Sequence, residues 1–288
     1  MESSFLTSVF LPLTLFLMIL GMGLGLTVDD FKRVFVQPKG AIVGLIAQLI
    51  VIPLVGFILA NTFPLSPELA VGLMILTACP GGPTSNIITY LVKGNVALSV
   101  TLTAVSSLIT IVTIPLIVNF SMERFMDRGV ELELPFLNTV LQIAVITIIP
   151  ISIGMLIRYY RLKFAMTLER YVKIISVFLL AVIFFGVLFK ERDIVVGSVL
   201  QVGAVIITLN LLTMALGYGL ATLSKLDRYS SKSITVEVGI QNAALAMTIA
   251  SAPTLLNMPI MAIPGAVYSL IMYITSGVLV GIIGDRWR

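Results

Sequence analysis

The chain has 288 residues, of which 58% are hydrophobic and only 11% charged, with a mean hydropathy of +1.11; that composition belongs to a polytopic membrane protein whose solvent is the lipid bilayer, and excludes a soluble domain. With no His and a single Cys, the sequence excludes His-based zinc or haem sites, an internal disulfide, and Cys-His or Ser-His-Asp catalysis, so no enzyme is expected. The net charge of +4 does not point to nucleic acid, because the cations are spread along one side of the predicted membrane spans.

A crossing needs about 20 apolar residues. On that requirement the chain divides into nine spans near 5–27, 39–61, 69–93, 95–119, 135–159, 173–189, 194–223, 231–252 and 263–284. The first follows an acidic, lysine-free start, Met1-Glu-Ser-Ser4, without a basic region or a small-x-small cleavage site, and is expected to be retained rather than removed as a signal peptide. Residues 120–134 form the one long charged connection. With the N-terminus outside, 14 Lys and Arg fall on the inner side and four (Arg124, Arg128, Lys190, Arg192) on the outer. That bias predicts a multi-pass protein of the cell (inner) membrane with a cytoplasmic C-terminus.

The third span is interrupted. Its centre reads Ala78-Cys-Pro-Gly-Gly-Pro-Thr-Ser-Asn86, and two prolines and two glycines in four positions cannot continue a regular helix. Thr84-Ser85-Asn86 then supplies N-cap chemistry for a second half-helix running to Lys93. In the eighth span, Thr235-Val-Glu-Val-Gly-Ile-Gln-Asn242 carries Glu237, the only acidic residue well inside a long apolar segment. A carboxylate at membrane depth costs at least a few kcal/mol and persists where it faces a cavity, a cation or a polar partner. Gly239 weakens that helix and Gln241-Asn242 are poor guests in lipid, so this span also is expected to break at mid-membrane.

Two broken helices in corresponding positions point to an inverted-repeat secondary transporter. Spans one to four would match spans six to nine, leaving the fifth without a partner. Taken singly, each element has a plainer reading. Ser99 and Thr103, four apart on one helix face, could be interhelical glue. The Pro-Gly-Gly-Pro run could be a kink, Gln48 a satisfied packing amide, and Cys79 a small core residue. Glu237 could be a structural carboxylate paired to an amide, although no Lys or Arg lies in a span centre to neutralise it.

Cys79-Pro-Gly-Gly-Pro-Thr-Ser-Asn86, Lys93-Gly-Asn-Val-Ala-Leu-Ser99 and Thr235-Val-Glu-Val-Gly-Ile-Gln-Asn242 resemble the bile acid:sodium symporter family, over nearly the whole chain from about Gly21. The resemblance implies an all-α fold of nine transmembrane helices in a single unit, 1–288, with two broken helices crossing. It implies a panel domain of 5–27, 135–159 and 173–189, and a core domain of 39–119 and 194–284. It also implies two Na+ ions, one held by Ser85, Asn86, Ser99, Thr103 and Glu237, the other by Gln48, Gln241, Glu237 and the carbonyls of Val238 and Ile240. Oxygen ligands without His or Cys suit such a hard cation.

The implied cargo is a small organic anion, bile-acid-like or a small carboxylate or sulfate, imported by symport. The expected anion contacts are Thr84 and Asn242 at the half-helix N-termini, where free amides and dipoles favour negative charge. Pro83 and Tyr273-Ile274 depart from more polar residues in relatives, which points to a different cargo. The competing reading is a proton-coupled antiporter on a related fold, with Glu237 carrying the proton.

Overall fold

The computed structural model describes residues 11–126, 135–190, 192–252 and 254–285. Among them all regular structure is helical: α1 (Leu11–Gly25), α2 (Val28–Val36), α3 (Pro38–Ile46), α4 (Ile52–Thr62), α5 (Pro67–Ala78), α6 (Ser85–Leu91), α7 (Val96–Phe125), α8 (Phe136–Tyr160), α9 (Leu162–Lys190), α10 (Arg192–Leu223), α11 (Arg228–Gly239), α12 (Ala243–Ser251) and α13 (Ile263–Asp285). Five continuous stretches are long and apolar enough to cross a bilayer: Pro38–Thr62, Val96–Phe125, Phe136–Tyr160, Gln201–Leu223 and Pro259–Ile282. A sixth arises if α1 and α2, bent by 66° at their junction, count as one. The bend has a local cause. Asp30 accepts from the amide (2.7 Å) and hydroxyl (2.8 Å) of Thr27 and pairs with Arg33 at 2.6 Å, which starts a new charged helix where the apolar one ends.

Several boundaries differ from the sequence expectation. The α7 helix continues through Phe125, into the segment read as a charged connection; residues 127–134 of that connection lie outside the described residues, as do residues 5–10 of the first expected span, Arg286 and Arg288. The α9 helix starts at Leu162, eleven residues before the expected span, because Lys163, Glu169 and Arg170 sit readily in a helix even though they lower its hydropathy. Between α3 and α4 the chain passes through a π-helical turn, Ala47–Val51, that contains Gln48. Such single π turns widen a helix locally and frequently mark functional positions.

Both expected helix breaks are present. α5 ends at Ala78 and α6 begins at Ser85; α11 ends at Gly239 and α12 begins at Ala243. Both breaks lie at the centre of the molecule, with α5, α11 and α12 buried almost throughout. α10 and α13 flank α11, α7 lies against α5 and α11, and α1 packs along α8 and α9.

Close backbone approach joins α1 to α8. A Cβ added at Gly154 would stand 2.5 Å from the Leu24 amide nitrogen and 2.6 Å from the Gly23 carbonyl carbon, and one at Gly23 would stand 2.4 Å from the Ile151 carbonyl oxygen. Small residues let helices touch in lipid, where packing rather than a hydrophobic gradient drives association. Gly154→Val is therefore expected to destabilise the protein by about 1–3 kcal/mol, the usual cost of overpacking, read as a lower melting temperature of the purified protein in detergent.

Candidate ion-binding site at the helix crossing

Where the broken spans cross, they form an antiparallel bridge between Gly81 and Gln241. The Gly82 amide donates to the Ile240 carbonyl at 2.7 Å, and the Asn242 amide donates to the Pro80 carbonyl at 2.9 Å. Each break thus gives one amide and accepts one. This exchange satisfies backbone groups that neither broken helix can pair internally and that lipid cannot pair at all.

Glu237, in the last turn of α11, is fully buried. Three hydroxyls donate to its carboxylate: Ser85 of α6 at 2.8 Å, Ser99 of α7 at 2.7 Å and Thr103 of α7 at 2.5 Å. Ser99 and Thr103 share a face because they are one turn apart, and Ser85 reaches the same carboxylate from the first turn beyond the other break. Gly81 is required here for space. A Cβ at that position would lie 2.2 Å from the Glu237 Oε1. The same hydroxyls lie close to one another, with Ser85 Oγ 3.3 Å from Thr103 Oγ1, and Ser99 Oγ also accepts from the Thr89 hydroxyl at 3.3 Å, so hydroxyl oxygens cluster around the carboxylate.

A second polar group lies beside the first. Gln48 Nε2 donates to the Gln241 Oε1 at 2.8 Å and to the Cys79 carbonyl at 3.1 Å, and Gln241 Nε2 donates to the Val238 carbonyl at 2.9 Å. The chain of amides links the π turn to both breaks. Two amide oxygens in the neighbourhood, Gln48 Oε1 and Asn86 Oδ1, are buried and have no hydrogen-bond donor. Buried acceptors are rarely left so, and each calls for a donor, a water or a cation.

Seven of the nine residues expected to surround the ions fall into two sets at the crossing. Ser85, Ser99, Thr103 and Glu237 are in mutual contact, and Gln48, Gln241 and the Val238 carbonyl form the other. The Ile240 carbonyl accepts the Gly82 amide, and Asn86, the residue after Ser85, lines a cavity of about 290 Å³. Gly21 and Met22 of α1, Pro83, Val100 of α7 and Glu169 of α9 complete much of its lining. Of the two expected anion contacts, Thr84 is the half-buried N-cap of α6 and makes no side-chain cap bond. Asn242 is buried and caps α12, its Oδ1 accepting from the Leu245 amide at 3.0 Å.

The sequence reading missed the support on the far side of α11. Asn210 of α10 donates through Nδ2 to the Gly239 carbonyl at 2.8 Å and to the Tyr268 hydroxyl at 3.0 Å, and the Tyr268 hydroxyl of α13 donates to the same carbonyl at 3.1 Å. Both side chains are fully buried. They hold the last carbonyl of α11 and so fix where the helix carrying Glu237 stops. The signal was there in an amide in mid-span, Asn210, which polar-residue rules flag as costly unless paired. Tyr268→Phe leaves one donor on the Gly239 carbonyl and is expected to cost about 0.5–1.5 kcal/mol, whereas Asn210→Leu removes the amide donor and should cost about 1–3 kcal/mol. Thermal melts of the two purified variants, ranked against wild type, check the order.

Residues 12–198 match the Sodium Bile acid symporter family. The chain is 35% identical over 269 residues to YocS of Bacillus subtilis, a sodium-dependent transporter that is itself uncharacterised, covering 93% of this chain and 79% of the relative. It is 32% identical over 269 residues to BASS1 of Oryza sativa, a chloroplastic protein designated a probable sodium/metabolite cotransporter, covering 93% and 63%. The human ileal sodium/bile acid cotransporter is 30% identical over 249 residues, covering 85% and 70%. Twin helix breaks exchanging backbone bonds around one buried carboxylate, together with these matches, make the chain a transport protein rather than an enzyme, and it belongs to the sodium bile acid symporter family.

Proposed function

We propose that the protein imports a small organic anion together with two sodium ions, by alternating access. The observation that carries this reading is the convergence of three hydroxyls and one carboxylate, with two donor-less amide oxygens close by, where two helices break. One ion is held by Ser85, Asn86, Ser99, Thr103 and Glu237. The other is held by Gln48, Gln241, Glu237 and the carbonyls of Val238 and Ile240, once the Gln48–Gln241 amide pair turns its oxygens toward the cation. That turn gives up the amide hydrogen bonds to Gln241, to the Cys79 carbonyl and to the Val238 carbonyl, which cation–oxygen contacts then replace.

The anion is received by Thr84 and Asn242 on the edge of the crossing, helped by the half-helix dipoles and by the two bound cations. The cavity lined by Pro83 and Asn86 on one side and α1 on the other supports a route along the boundary between a panel of α1, α8 and α9 and a core made of the remaining helices. In this reading there are nine crossings: the five long stretches together with α1, the α5–α6 pair, α9 and the α11–α12 pair, with the N-terminus outside the cell membrane. The sodium-dependent designations of the relatives support the coupling ion.

Glu237→Gln keeps the side-chain shape and removes the charge shared by both ion sites. The variant is expected to insert and fold, yet to lose most sodium-induced stabilisation. Bound ligand stabilises by RT ln(1 + [L]/Kd), about 2.7 kcal/mol at a hundredfold excess. Melting in sodium against potassium at fixed pH is the measurement, and full stabilisation of the variant would remove the carboxylate from the ion sites.

Two sodium ions with one monovalent anion carry one net positive charge inward, worth about 2.3 kcal/mol per 100 mV. Uptake into vesicles should therefore rise with an inside-negative potential. Gln48→Ala should lower the sodium Hill coefficient from near two toward one while leaving one ion bound, and Asn86→Ala should act on the other site. A proton antiporter predicts neither result. A Hill coefficient near one in wild type, with uptake indifferent to potential, would rule out the two-sodium mechanism.

A further inference from the structure

A second cavity, of about 570 Å³, opens between α10, α11 and α13, with Val92 at the end of α6 on its edge. Its lining is divided by chemistry. Arg228 and Lys232, from the first turns of α11, form one part, and Tyr218, Leu226, Leu279 and Ile282 form an apolar part. Lys232 lies within the repulsive field of both Arg228 and Lys93. Its Nζ also donates to the Val92 carbonyl at 2.8 Å, which keeps the ammonium at the cavity rim rather than free to swing away. The nearby Asp227 carboxylate is committed to capping α11, accepting from the Tyr229 and Ser230 amides and the Ser230 hydroxyl.

Tyr218 and Ile282 are 54% and 55% exposed, respectively. In a protein surrounded by acyl chains, such surface faces lipid. Cations gathered beside an apolar wall at the end of membrane helices match one kind of molecule, an amphiphile with an anionic head.

We infer that this cleft binds an anionic phospholipid, its phosphate between Arg228 and Lys232 in the field of Lys93, and an acyl chain along Tyr218, Leu279 and Ile282. The site lies on the side that carries 14 of the chain's 18 cations by the sequence count. It is separate from the crossing, yet its floor includes Thr235, two residues before Glu237. An occupant therefore braces the half-helix that presents the buried carboxylate.

Native mass spectrometry of the full-length protein in detergent, titrated with dioleoyl phosphatidylglycerol, tests the site. Dioleoyl phosphatidylcholine, with the same acyl chains, should bind more weakly. The Arg228→Gln/Lys232→Gln double variant should bind phosphatidylglycerol roughly 30-fold more weakly, and Arg228→Gln alone roughly 5-fold, from about 1 kcal/mol per cation. The single variant carries the test if the double one, which also loses the Val92 bond, does not fold. Arg161→Gln/Lys163→Gln, which removes two cations of the same sequence-predicted side, should leave the affinity unchanged. Equal binding by wild type and the Arg228 variants overturns the site, as does equal weakening by the Arg161/Lys163 pair. Competition by glycerol 3-phosphate at the same concentrations as the lipid would assign the cations to a soluble phosphate and also overturn it.

Discussion

A carboxylate with no solvent exposure, whose hydrogen-bond partners are three hydroxyls, is the constraint on which the rest of the centre depends. Glu237 can remain there only if its oxygens are satisfied, and it lies on a helix in a lipid-embedded protein, where water cannot do so. Three hydroxyls from two other elements do it instead. To bring Ser85 to the carboxylate, α5 must stop and α6 must restart. To let the carboxylate lie against the other break, residue 81 must lack a Cβ. The proline and glycine run at 80–83 is therefore a condition of keeping the charge, rather than a separate feature.

Breaking two helices at depth exposes amides and carbonyls, and the structure disposes of them without solvent. The bridge between 80–82 and 240–242 pairs one break with the other. Asn210 and Tyr268 then take the Gly239 carbonyl that the bridge does not reach. At its opposite end α11 is held by Lys232 to the Val92 carbonyl and by Ser233 to the Asn95 carbonyl. The half-helix that carries Glu237 is fixed at both ends to elements of the other broken span and its neighbours, so its position is over-determined.

The sequence made the centre legible because its chemistry is anomalous for lipid: prolines and glycines in an apolar segment, and an acid well inside another with no Lys or Arg at a segment centre. Glu237 and the break at Pro80–Pro83 could be named on those grounds; Ser85, Ser99 and Thr103 were named by the family resemblance, since Ser99 and Thr103 by themselves read as interhelical glue. The terminal reach of α7 and α9 was not legible, since charged residues that sit readily in a helix lower its hydropathy and read as loop. The π turn at Gln48 left no composition signal either, because its cause is the fit of that amide to Gln241 across 193 residues of sequence. Tyr268 was invisible for a similar reason: an aromatic in an apolar span has no distinguishing neighbour until α10 brings Asn210 to it.

The two polar sets share one structural element, and this bears on coupling. On the proposed mechanism Glu237 serves both ions, so filling one site stabilises the carboxylate in the position the other needs. That is positive linkage between sites with no further moving part. The bridge, the Asn210–Tyr268 clamp and the Lys232 and Ser233 latches tie both breaks into one body, so large displacements are opposed within it. α1 lies against α8 and α9, touches α12, and borders the crossing at the cavity lined by Pro83 and Asn86. Motion of that boundary past a fixed crossing would expose Asn86 and Thr84 alternately to each side while leaving the carboxylate and its hydroxyls undisturbed, which is what a carrier that must not lose its ions mid-passage requires.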